Sequence, residues 1–151
     1  MGSVKIIFLL SAGIALVSAA ATQPKVVISA RQLGMKQVGK SFKTINDQVR
    51  SGSPEAAVVK ASASQLAALA AKVPSWFPAG TGPDTGIKTA AKAEIWTRAA
   101  NFRAKAAAFA AATRNLAAAA AKTSDPGVLE PQIRRVGGTC KSCHTAFKLQ
   151  S

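Results

Sequence analysis

The sequence predicts an all-α protein, an antiparallel up-down-up-down bundle of four helices. Three observations carry this. Apolar residues recur at spacings that alternate three and four in four separate stretches, the period that keeps one helix face turned to a core. Two short turns and one longer loop rich in Pro and Gly part these stretches, so consecutive helices reverse direction. No stretch alternates apolar and polar residues as a half-buried strand would.

The N-terminus stands outside the bundle. Lys5 precedes an uncharged apolar run from Ile6 to Val17, which ends in Ser18-Ala19-Ala20-Ala21. This is the layout of a secretory signal peptide, assigned to residues 1–21 with the mature start between Ala21 and Gln23. The run is short for a bilayer span, so no stable membrane insertion is expected after cleavage. Residues 24–151 are expected to form one periplasmic domain, long enough for a single core.

The first helix is predicted from about Pro24 to Val49, with Ile28, Met35, Val38, Phe42, Ile45 and Val49 on its stripe and Arg31 completing it. Gly52 breaks it. Ser53 and Pro54 read as the N-cap and first position of a second helix that runs to about Val73, with Val59, Leu66, Leu69 and Val73 inward and Ser62 in the remaining slot. From Pro74 to Gly86, three Pro and three Gly forbid a helix. Trp76 and Phe77 in that loop are read as covering one end of the core, with a plain anchoring role as the alternative. A third helix is predicted from about Lys92 to Lys122, on Ile95, Ala99, Phe102, Ala106, Phe109, Thr113, Leu116 and Ala120. Thr123 to Gly127 is a turn, with Asp125 or Ser124 as N-cap and Pro126 at the first position of the last helix. That helix places Leu129, Ile133, Val136, Cys140, Cys143 and Phe147 inward.

The chemistry sits in Cys140-Lys141-Ser142-Cys143-His144. Cys-x-x-Cys-His is the attachment signature of a c-type haem: two thiols about one helical turn apart add to the two vinyl groups, and the adjacent imidazole meets the iron. The chain has two Cys and one His, all in this pentapeptide. A zinc site would lack its fourth ligand, and a dithiol of the thioredoxin kind would want a βαβ pattern. One haem c per chain, covalently attached and inserted between the helices, is the expectation. Small stripe residues such as Ala99, Ala106, Ala120 and Ser62 are read as leaving volume for it. With a single His, the iron's sixth position is vacant or filled by a weak donor, and Met35 is the thioether that remains once Met1 is removed.

Removing Lys5 from the 20 basic residues, against 6 acidic ones, leaves a mature net charge of +13. Such an excess steers the protein toward anionic partners, an acidic redox protein first and anionic lipid or nucleic acid besides, the plain alternative being a solvated surface. Nucleic acid is disfavoured: no Lys/Arg run and no Tyr offer a basic-aromatic platform. An enzyme is not expected, because no nucleophile and base pair or inward carboxylate cluster is visible. An Ala-rich face leaves a homodimer open.

Several stretches together resemble the class II cytochromes c, the cytochrome c-prime family: Arg31-Gln32-x-x-Met35-Lys36, Pro54-Glu55, Phe77-Pro78-x-Gly80, Glu94-Ile95-Trp96 and Gly137-x-x-Cys140-Lys141-x-Cys143-His144. The resemblance implies a four-helix bundle with His144 as proximal iron ligand, Arg31 and Gln32 near the haem propionates, Phe147 and Lys148 beside the His, and Met35 on the distal side. It looks closest to the low-spin branch, in which Met35 would be the sixth ligand of an electron carrier. The alternative is a five-coordinate protein that binds nitric oxide or carbon monoxide at a vacant distal site.

Overall fold

The computed structural model describes residues 23–150. The assigned signal peptide, residues 1–21, lies outside the described residues. Five helices follow in order: α1 (Pro24–Arg50), α2 (Ala56–Lys72), α3 (Glu94–Thr97), α4 (Ala99–Ala120) and α5 (Pro126–Phe147). The long ones, α1, α2, α4 and α5, make the four-helix bundle, and α3 is a single turn leading into α4.

α1 buries Ile28, Arg31, Gly34, Val38, Ser41, Ile45 and Val49, a three-four stripe in which one member is charged. The chain reverses through Gly52, whose φ of 74° is left-handed and suits a residue without Cβ. The start of α2 differs from the sequence expectation. Ser53 and Pro54 stay in the turn and Glu55 is the capping residue. Gln48 explains this: its Oε1 accepts from the Glu55 N–H at 2.7 Å, which holds residues 53–55 out of the helix. On length and mean hydropathy alone, 1.2 over its best window, Ala56–Trp76 would pass as a membrane span. Its stripe of Val59, Ala63, Leu66 and Ala70 is instead packed into the bundle, against α1 and α4.

The third helix is shorter than the periodicity predicts, and broken. Residues before Glu94 are tied to the end of α5: the Lys92 N–H donates to Phe147 O at 3.0 Å and the Leu149 N–H to Ala90 O at 2.8 Å. Next, the Trp96 indole N–H donates to Pro78 O at 2.9 Å. These long-range bonds fix α3 in place, and the backbone leaves helical geometry at Arg98 (φ −119°, ψ 43°) before α4 begins. The core stripe of Ile95, Phe102, Ala106, Phe109, Thr113, Leu116 and Ala120 is nonetheless buried as expected.

α5 starts on Asp125, whose Oδ1 accepts from the Gly127 N–H at 2.9 Å, with Pro126 at the first position. Pro131 also stands inside it. Its missing N–H falls near the solvated start of the helix, where water can satisfy the freed carbonyl. Leu129, Ile133, Val136 and Phe147 are buried.

Of the small stripe residues read as leaving volume, Ala106 and Ala120 are in the core and Ala99 and Ser62 are half-buried. Ala63, Ala70 and Ala112 join the core beside them. The seams α1–α2, α2–α4 and α4–α5 are densely packed. The seam between the first and last helices, α1–α5, is much thinner.

Candidate haem site

The motif residues and Met35 stand on the two helices that border that thin seam. A methyl group at Gly137 of α5 would stand 3.8 Å from Phe42 Cζ of α1, which marks a point where the two helices touch. Residues seven apart on a helix share a flank, and 1.5 Å per residue carries each about 10.5 Å along the axis. Seven residues back from Phe42 is Met35, and seven on from Gly137 is His144. Because α1 and α5 run antiparallel, both steps go the same way. Met35 and His144 therefore lie at one level on opposing flanks of the seam.

Cys140 and Cys143 are half-buried, packed against the core cluster, and both thiols are free. Burial pushes both above the usual thiol range; the repulsion of Cys143 adds to this at Cys140, while the Lys105 charge opposes it at Cys143. His144 keeps much of its surface in solvent. What burial it has, and then the Lys148 ammonium, push its pKa down, which favours the neutral ring a metal requires. Met35 is partly buried against the same core.

Arg31 is 3% exposed and has no carboxylate partner: the only ion pairs among the described residues are Lys43–Asp47 and Arg134–Glu130. The loop after α2 satisfies its guanidinium. Nη1 and Nη2 both donate to Thr81 O at 3.2 Å, Nη1 donates to Thr81 Oγ1 at 3.3 Å, and Nη2 to Thr89 Oγ1 at 3.0 Å. The Phe77 ring centre lies 4.7 Å from its Cζ and the Trp96 ring centre 5.8 Å, within cation–π range. Gln32, next along, is exposed and donates from Nε2 to Lys88 O at 3.1 Å. These two residues thus pin the second half of the loop to α1, a role that sequence reasoning missed. Thr81 and Thr89 had no signal to find them by, since neither sits in a periodic segment.

The loop aromatics divide. Phe77 closes the end of the core: its ring centre is 4.9 Å from that of Phe102, which is 5.5 Å from Phe147, both edge-on. Trp76 lies on α1 instead, where a Cβ at Gly34 would come within 2.7 Å of its Cη2.

This donor set fits a haem better than a bare metal ion. Among the described residues no three Cys, His, Asp or Glu side chains are placed to hold a metal, which leaves the zinc reading without a site. Two free thiols, a neutral imidazole and a buried, uncompensated guanidinium suit an anionic macrocycle held from α5 and flanked by α1.

The family model described as Cytochrome C' matches residues 26–148. The chain belongs to the cytochrome c' family. A cytochrome c' of Pararhodospirillum photometricum is 34% identical over 126 residues, 83% of this chain and 98% of that protein. The solved cytochrome c' of Thermochromatium tepidum, 28% identical, superposes with a TM-score of 0.79 over 87% of this chain and all of that one. A nitric oxide complex of a variant cytochrome c' from Alcaligenes xylosoxidans superposes with a TM-score of 0.75 at 30% identity, over 85% of this chain and 98% of that one. The resemblance read from the sequence is thus met at the level of family, fold and the haem-protein class.

Proposed function

We propose that this cytochrome c' works in the periplasm, carries one haem c attached through Cys140 and Cys143, and binds nitric oxide or carbon monoxide on the Met35 side. One observation carries the reading: the relatives it matches are cytochromes c', and one of them was solved with nitric oxide. Cys140 and Cys143 would hold the group and His144 would be its proximal ligand. When bound, the haem supplies an iron able to take up a small uncharged ligand. Around it, Met35 and Val38 are apolar and offer no donor to a polar ligand, and the aromatic end formed by Phe77, Phe102 and Phe147 keeps water from the core. The guanidinium of Arg31, the one buried charge among the described residues, would balance an anionic edge, with Gln32 beside it.

A second reading has its own support. Met35 at the level of His144 is the placement that an electron carrier with His144/Met35 ligation would need. The kinship favours the first. A vacant sixth site gives a high-spin ferric electron paramagnetic resonance signal at neutral pH that Met35→Ala leaves unchanged, and a ferrous form that binds carbon monoxide readily. A low-spin signal turned high-spin by Met35→Ala establishes the electron carrier instead.

A further inference from the structure

Beside the haem motif, on the outer side of the α4–α5 seam, lies an open groove of about 530 Å³. Its polar lining is Arg98, Asn101 and Lys105 from the α4 side and Lys141, Ser142 and Thr145 from α5. Three of these six are cations. The six acidic residues of the chain are Asp47, Glu55, Asp84, Glu94, Asp125 and Glu130, and none lines the groove. None of the three cations takes part in an ion pair among the described residues.

The cations are also partly ordered in advance. Lys105 is half-buried, and its Nζ donates to Ser142 Oγ at 2.6 Å, which fixes a long side chain across the two helices. A ligand that meets it need not supply all the ordering entropy. The break before α4 puts Arg98 at the head of that helix, at one end of the groove. Lys141 stands between Cys140 and Cys143, at the other side.

We propose that this groove docks an acidic segment of a partner protein and thereby brings the partner against the haem-attachment residues. Complementarity of charge supports a carboxylate-bearing occupant, and the form of the site supports a peptide. It is open and shallow, long enough to follow two helices, and interleaves its cations with the neutral hydrogen-bonding side chains of Asn101, Ser142 and Thr145, as recognition of a carboxylate-rich chain requires. A membrane surface would want large apolar residues, and the non-polar lining is only Gly138 and Ala146. Single-stranded nucleic acid would want aromatic platforms, which the lining lacks. The proposal does not depend on how the iron is ligated.

The test uses the haem-loaded protein and two labelled synthetic peptides of equal length, one rich in Glu and one with Gln at every Glu position, titrated at low salt by fluorescence anisotropy. The Glu peptide binds and the Gln peptide does not. Lys105→Gln/Lys141→Gln, which keeps a donor for Ser142, weakens Glu-peptide binding by about tenfold or more. Lys60→Gln/Lys72→Gln removes the same charge from exposed positions of α2 and weakens it by less than about threefold. Equal losses in the two double variants overturn the proposal, because net charge alone then explains the attraction. So does binding of the Gln peptide as tight as that of the Glu peptide, or failure of both to bind. Inorganic phosphate that displaces the Glu peptide completely at matched ionic strength makes the groove a small-anion site. Phosphatidylglycerol vesicles that bind the protein and lose that binding in Lys105→Gln/Lys141→Gln make it a lipid site. Either result overturns the proposal as well.

Discussion

Arg31 is the residue on which most of the site's architecture converges. A guanidinium 3% exposed, without a carboxylate, survives burial only if its donors are met, and two threonines of a distant loop meet them. Its planar fork reaches Thr81 and Thr89 together while its face lies against Phe77; an ammonium cannot do all three. Arg31→Lys should therefore lower stability by about 2 kcal/mol, read as a shift of the urea midpoint at unchanged slope. An unchanged midpoint would mean that the guanidinium does not hold the loop. That Arg31 faces inward was legible from its place on the α1 stripe. Its partners were not, because they lie 50 and 58 residues away in a segment without periodicity. His144, Cys140 and Cys143 are singled out by the motif's spacing alone, with no need of the fold. The sixth ligand is a different matter: a thioether can lie in or out of bonding range through a small shift of α1, and residue identity does not encode that shift.

At the level of elements, the stripes of α1, α4 and α5 were written in the sequence, while on α2 the buried face falls on Ala63 and Ala70 rather than Ser62 and Leu69, and the break at Arg98 was not legible. Ile95 and Phe102 are seven residues apart, so the pattern keeps its phase whether or not the helix continues between them. What fixes α3 is pairing of the residues just before it with the far end of the chain and a bond from the Trp96 indole to Pro78 O, which no local window contains. The α5 cap was legible in Asp125-Pro126-Gly127, and Asp125→Ala should cost about 1 kcal/mol of stability in thermal or urea unfolding. The seating of Trp76 on Gly34 is open to a sharper test. Gly34→Ala forces a methyl into the indole and should destabilise by about 1–3 kcal/mol, whereas in a Trp76→Ala background the same change should cost little. Additive losses would show that the indole is not seated there.

For the whole molecule, family and fold could be read from the helical stripes and a few short motifs, and the charge excess pointed toward an acidic partner without saying where. The groove beside Lys105 and Lys141 supplies a place, because only the folded chain brings those cations together. The thin α1–α5 seam has a further consequence for how the molecule is made. It joins α1 to α5, the first and last of the described helices in chain order, so α1, α2 and α4 can associate before α5 is added. Until α5 arrives, the flank carrying Met35 and Phe42 has no neighbour, and the fold stays open along one side. Order of assembly thus leaves that side accessible until α5, the helix that carries Cys140, Cys143 and His144, closes it.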